Sequence, residues 1–141
     1  MLKNISTLIS PELLKALCEL GHGDEFTIAD GNFPCYGICD NVFRADGHGS
    51  AEILKEIIKL IPLDTYAEWN VAYMQHCKGD EYPAITDTYT EILKNEEGNA
   101  VKVKRLERFD FYDQAKKSRF VLATSEGALY ANVIIKKGVV K

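Results

Sequence analysis

Apolar positions along the chain switch repeatedly between helical and extended spacing. Leu13, Leu14, Leu17, Cys18 and Leu20 recur at the spacing of one helix face. Ser10 precedes them as an N-cap, Pro11 occupies the first helical position and Gly21 is the stop. Phe26-Thr27-Ile28-Ala29 reads as a short buried strand with Asp30 at its carboxyl end. A loop rich in Gly, Pro and Asn runs from Gly31 to Asn41, and Val42-Phe43-Arg44-Ala45 is strand-like. Ser50 is expected to cap a second helix, with Ile53, Leu54, Ile57, Ile58 and Ile61 as its stripe and Pro62 as its end. Trp69 to Met74 is the next strand, and Pro83 to Asn95 a more polar helix stopping near Gly98. Val101, Val103 and Leu106 suggest a strand, and Phe109 to Lys117 a short helix. Phe120-Val121-Leu122-Ala123 and Val133-Ile134-Ile135 close the chain as strands that are apolar on both faces, which suits central positions in a covered sheet.

Strands separated by helices predict an α/β fold. The expectation is one domain over residues 1–141, in three layers, with a mostly parallel or mixed central sheet covered by helices on both faces. A chain of 141 residues is long enough to bury a sizeable core. A net charge of −4 and a pI near 5.4 supply no positive field for a phosphate backbone, so nucleic acid is not an expected partner. Lys102-Val103-Lys104-Arg105 alternates with apolar residues and reads as one solvated strand face. No apolar run approaches the ~20 residues that span a bilayer, and Met1-Leu2-Lys3-Asn4 has no signal-peptide pattern. The expected setting is cytoplasmic, with no membrane partner and with Cys18, Cys35, Cys39 and Cys77 reduced. Cys35 and Cys39, with His48, His76 and Cys77, lack the paired hooks of a zinc site, so no metal is expected.

Candidate chemistry collects at element ends. Gly21-His22-Gly23-Asp24 puts an imidazole just past a helix end, and Asp30 puts a carboxylate at a strand end. The spacing suggests that both face one cleft, since ligands of open α/β sheets collect at the carboxyl ends of strands. Each also has an ordinary role, His22 as a C-terminal cap and Asp30 as a turn residue. Arg108 between a strand and a helix, and Tyr130-Ala131-Asn132 before the last strand, add a planar cation and neutral hydrogen-bonding groups. Such a mixture suits a neutral polyhydroxylated ligand. A phosphate ligand would call for a glycine-rich cradle of P-loop or dinucleotide type, and an acyl-transfer enzyme for a nucleophile elbow; neither motif occurs.

Taken with Met1-Leu2-Lys3, Ile9-Ser10-Pro11-Glu12-Leu13-Leu14, Phe33-Pro34, Arg44-Ala45-Asp46-Gly47, Arg108-Phe109-Asp110-Phe111-Tyr112 and Lys136-Lys137-Gly138-Val139, these segments make the chain resemble the D-ribose pyranase and L-fucose mutarotase family almost end to end. It looks closest to the fucose branch. Arg108 stands where the ribose branch carries a histidine, whereas Ala131 is as in the ribose branch, where the fucose branch carries glycine.

The resemblance implies a cofactor-independent isomerase. It implies His22 as catalytic proton donor, and Asp30, Arg108, Tyr130, Ala131 and Asn132 as sugar-binding positions, with L-fucose the favoured monosaccharide. It further implies a homo-oligomer, a decamer of two pentameric rings, with sites near subunit boundaries. Within that scheme Asp24 is expected to fix the His22 tautomer and Tyr130 to relay the second proton. The alternatives are a D-ribose pyranase and a non-enzymatic sugar-binding assembly protein.

Overall fold

A computed structural model describes residues 1–141 as helices and strands in near-strict alternation. They are α1 (Pro11–Glu19), β1 (Glu25–Ala29), α2 (Cys35–Ile38), β2 (Val42–Ala45), α3 (Ser50–Ile58), β3 (Val71–Met74), α4 (Ile85–Glu97), β4 (Val103–Leu106), α5 (Arg108–Ala115), β5 (Val121–Thr124) and β6 (Val133–Lys136). The six strands form one sheet in the order β2-β5-β1-β6-β3-β4. β6 runs antiparallel to both neighbours, β1 and β3, and the remaining pairs are parallel. The expected α/β fold with a mixed central sheet is therefore present.

The pleat explains the layers. Alternate residues of a strand face opposite sides, and here each side has its own apolar set. Phe26, Ile28, Val71, Tyr73, Leu122, Val133 and Ile135 join the larger core, under α1, α3 and α4. Ala29, Ala72, Met74, Val121, Ala123 and Ile134 join a smaller core, capped by Phe33, Cys35, Phe111 and Ala115 from the α2 and α5 side. Three alanines on this second face keep its layer thin. β5 and β6 lie inside the sheet, as their continuous apolar runs require.

Several boundaries differ from the sequence reading. The Ser10 cap is as expected, its Oγ accepting the Leu13 N–H at 3.1 Å. Cys18, expected on the apolar face of α1, is exposed, and Ala16 takes the buried position with Leu13 and Leu17. Ser50 is not a cap but the first residue of α3; Gly49 precedes it, its N–H held by Glu52 at 2.8 Å. The Ser50 hydroxyl is instead buried against Tyr89 and Glu126. The loop after Asp30 contains the single turn α2, too short for its periodicity to register.

The chain end is tied to the loop after α3. Lys137 bridges to Leu63, and Asp64 N–H donates to the Lys136 carbonyl at 3.0 Å. Gly138 N–H donates to the Pro62 carbonyl at 2.8 Å. A Cβ on Gly138 would sit 2.3 Å from the Leu63 carbonyl oxygen, so only glycine lets these backbones meet.

Candidate functional site

A pocket of about 230 Å³ opens where β1 and β3 end and β6 begins, on the thin face of the sheet. Asp30, Asn32, Arg108, Tyr130 and Asn132 supply its polar groups, and Phe33, Met74, Tyr112 and Leu129 its apolar walls. Four of the residues singled out from sequence, Asp30, Arg108, Tyr130 and Asn132, therefore share one cavity although up to 102 positions separate them in the chain.

Asp30 and Asn132 form its floor. Both are buried. Asp30 N–H donates to Asn132 Oδ1 at 2.8 Å, Asn132 Nδ2 donates back to Asp30 Oδ2 at 2.9 Å, and Asn32 N–H donates to Asp30 Oδ1 at 2.9 Å. Each carboxylate oxygen is thus oriented by one donor and keeps capacity to accept another. Burial pushes the Asp30 carboxyl above its ordinary value, against the lowering effect of the Asn32 and Asn132 hydrogen bonds.

Arg108 is the first residue of α5, behind Glu107, whose carboxylate caps that helix through the Phe109 N–H at 2.9 Å. Its Nε donates to the Tyr112 hydroxyl at 3.1 Å, one helical turn on, and its guanidinium carbon lies 5.4 Å from the Phe109 ring centroid and 5.6 Å from that of Tyr112. The side chain is exposed but steered by these contacts, and it lines the cavity. The Tyr112 hydrogen bond raises its already high pKa.

Tyr130 holds a left-handed backbone, φ +59°, a conformation that costs a bulky residue energy and persists only where its surroundings enforce it. The loop after β3 does so: the Tyr130 hydroxyl donates to Asp80 and accepts the Cys77 N–H at 3.3 Å. The Asp80 bond, then the Cys77 contact, pushes the phenol up to about 12. Ala131 does not line the cavity. Its methyl is fully buried in the larger core and its carbonyl accepts the Tyr89 hydroxyl at 3.1 Å. The alanine or glycine choice at 131 is thus a matter of core packing.

His22 lies elsewhere. It precedes β1 and Asp30 follows it, so a five-residue strand, roughly 16 Å of extended chain, separates the two. The single-chain cleft expected to hold both is not formed. His22 Nε2 instead meets Asp64 Oδ1 at 3.1 Å, and its ring packs edge-on to Tyr66, 5.5 Å between centroids. Asp64 is buried, which alone would raise its carboxyl, yet the Tyr66 N–H, His22 and Ala67 N–H hydrogen bonds outweigh burial and hold it below the usual carboxylate value. An ionised Asp64 can only accept, so Nε2 carries the proton and Nδ1 is the basic nitrogen, on a side chain 48% exposed.

Asp24, expected to orient His22, accepts the Gly21 N–H at 2.8 Å and faces Arg119 at 3.8 Å. Asp64 takes that part, and no local pattern announces it, because its contact to His22 spans 42 positions. No group of three or more His, Cys, Asp or Glu is arranged to hold a metal ion, and no helix is long and apolar enough to cross a membrane.

The chain has full-length relatives among known proteins. The L-fucose mutarotase of Actinobacillus pleuropneumoniae serotype 5b (strain L20) is 48% identical over 140 residues, covering 99% of this chain and 97% of that one. The human fucose mutarotase is 44% identical over 144 residues, covering 98% and 94%. Among solved structures, the fucose mutarotase of Streptococcus pneumoniae in complex with L-fucose superposes with a TM-score of 0.95 at 41% identity, covering 99% of this chain and all of that one. The model of the RbsD / FucU transport protein family matches residues 3–140, and the chain belongs to that family.

Proposed function

We propose that this chain is an isomerase that interconverts the α and β anomers of L-fucose by opening and reclosing the pyranose ring. The observation that carries this is the pocket: a buried carboxylate locked to an asparagine, with an arginine and a tyrosine at its mouth. It occurs in a chain 41% identical, over nearly its whole length, to a mutarotase crystallised with L-fucose. Asp30 accepts sugar hydroxyls, the Arg108 fork spans two oxygens at once, and Phe33, Met74, Tyr112 and Leu129 receive the C–H faces and the methyl group of a 6-deoxyhexose.

Anomer exchange needs only proton transfers. The anomeric hydroxyl loses its proton while the ring oxygen gains one; the C1–O5 bond breaks to give the aldehyde, C1–C2 rotates, and closure on the other face reverses the transfers. The chemistry itself calls for neither a redox cofactor nor a metal. Positioned acid-base groups contribute typically ~10²–10⁴-fold, enough for a reaction that already runs slowly in water. In its imidazolium form His22, with Nε2–H held by Asp64, donates from Nδ1 to the ring oxygen, and Tyr130 is the group at the anomeric hydroxyl.

Because a single chain keeps His22 a strand's length from the pocket, His22 of a second copy completes the site. A homo-oligomer with head-to-tail contacts meets that need, and a closed ring is the form such contacts take without growing into fibres. The decamer of two pentameric rings implied by the resemblance is that kind of assembly. Four free cysteines suit a reducing, cytoplasmic setting.

Saturation-transfer NMR of anomer exchange on L-fucose and D-ribose tests the reading. Fast exchange of fucose anomers is expected. Pyranose-furanose exchange of ribose without fucose exchange would assign the sister activity, and binding without exchange a sugar-binding protein.

A further inference from the structure

Tyr130 is a wall between two depressions. One is the sugar pocket described above; the other lies against the loop of residues 79–85, with Asp80 in its lining, and shares Leu129 and Tyr130 with the first. Asp80 does not line the sugar pocket. It reaches that pocket only through the phenol oxygen, in a contact between residues 50 positions apart. The same oxygen accepts the Cys77 N–H, so the loop grips the hydroxyl with one donor and one acceptor. The His76 ring lies edge-on to Tyr130, 6.5 Å between centroids, and Arg108 lines the same cavity.

This arrangement resolves a difficulty in the proposed reaction. A phenol that keeps its own proton is a very weak base, and this one is held protonated up to about pH 12. It can take the anomeric proton only if it releases its own in the same event, and the group placed to receive that proton is a carboxylate. We infer that Asp80 is the terminal proton acceptor of the site, acting through the hydroxyl of Tyr130; the inference rests on the mutarotase reading. As the ring opens, the anomeric O–H bond breaks and its proton bonds to Tyr130 Oη. The former Tyr130 proton passes to Asp80 Oδ2, and the ring oxygen is protonated from Nδ1 of the His22 imidazolium, whose Nε2–H stays on Asp64. Asp80 ends neutral, the imidazole has lost one proton, and closure on the other face returns both. Asp80 touches no substrate. It is a positioning residue, fixing which lone pair of Tyr130 faces the sugar, and it also stores the relayed proton.

The test compares wild type, Asp80→Asn, Asp80→Glu, Tyr130→Phe and the double variant Asp80→Asn/Tyr130→Phe. The readouts are the exchange rate at saturating L-fucose, fucose affinity by calorimetry, and ultraviolet titration of the tyrosines. Asp80→Asn is expected to lower the saturated rate by about a hundredfold or more, the scale of a lost acid-base group, with fucose affinity within a few-fold of wild type. Asp80→Glu is expected to restore much of that loss. The double variant is expected to be no slower than the slower single one, because groups acting as a unit are not additive. In Asp80→Asn one phenol is expected to titrate earlier than in wild type. Asp80 is exposed, so its exchange for Asn leaves both cores untouched. A saturated rate within twofold of wild type in Asp80→Asn, or multiplicative losses in the double variant, would overturn the inference while the function stands. A wild-type chain with no fucose exchange would overturn both.

Discussion

His22 depends on Asp64 in a way that pH can expose. Asp64 is held below its ordinary value near 3.8 in the folded chain, by hydrogen bonds that outweigh its burial. A carboxyl depressed on folding contributes stability that is present above the unfolded pKa and lost as pH falls through the folded one. Asp64→Asn should therefore flatten the fall in stability below about pH 4. It should also slow anomer exchange, by roughly tenfold to a hundredfold if orienting a histidine here is worth what it is worth around metals. Denaturant titrations from pH 2 to 7 and exchange rates at pH 7 check the two halves; an unchanged acid limb would mean that the Tyr66, His22 and Ala67 contacts do not hold the Asp64 carboxyl down. At Arg108 the expected change is in handling of sugar rather than in folding. Arg108→Lys keeps the charge and loses the fork, so fucose exchange should weaken while the unfolding midpoint stays put. Equal fucose exchange would reduce Arg108 to a surface cation. Asp30, Arg108, Tyr130 and Asn132 were legible because each stands at an element end inside a characteristic run. Asp64 and Asp80 were not, since what defines them is a partner 42 or 50 positions away.

Elements hold these residues through contacts that periodicity does not encode. Strand positions followed directly from apolar runs such as Val133-Ile134-Ile135. The ends were less legible where tertiary partners overrode local preference. Ser50 is a good cap type, yet α3 starts on it because its hydroxyl is better used on Tyr89 and Glu126. Tyr89 in turn donates to the Ala131 carbonyl, so α3 and α4 brace the segment that presents Tyr130 and Asn132. The clearest element-scale case is the C-terminal tail. Gly138 lets the tail cross the Leu63 carbonyl, and that crossing sets the backbone that carries Asp64. Gly138→Ala puts a methyl 2.3 Å from that oxygen. Backbone on both sides must yield, at a cost of about 1–3 kcal/mol, as for other overpacked contacts. The expected result is a lowered unfolding midpoint together with slowed exchange, while fucose affinity, set at the far end of the sheet, changes little. Thermal unfolding and calorimetry on the same variant separate these effects, and lost fucose affinity with exchange unaltered would contradict the link to Asp64.

For the whole molecule, the sheet itself keeps the imidazole and the pocket that holds Asp30 apart, one at each end of β1. Sequence spacing could not reveal this, because His22 and Asp30 are eight positions apart in a chain where a helix or a loop would have made them neighbours. An extended strand between them does the reverse. If a second copy supplies the imidazole, activity belongs to the contact between chains, and two dead variants should rescue each other. His22→Ala keeps an intact pocket and lacks the donor; Asp30→Asn keeps the donor and has an impaired pocket. Each alone should exchange fucose at or near the uncatalysed rate and still assemble. Unfolded and refolded together in equal amounts, they should form mixed rings in which about a quarter of the contacts pair a native His22 with a native pocket. Exchange should then return to roughly that fraction of the wild-type rate, whereas variants refolded separately and mixed afterwards should stay inactive if subunits do not swap. Sedimentation on the same samples should show a closed assembly throughout. A fully active monomer, or mixed rings as inactive as their parents, would place the proton donor within one chain and require another group than His22 to serve the ring oxygen.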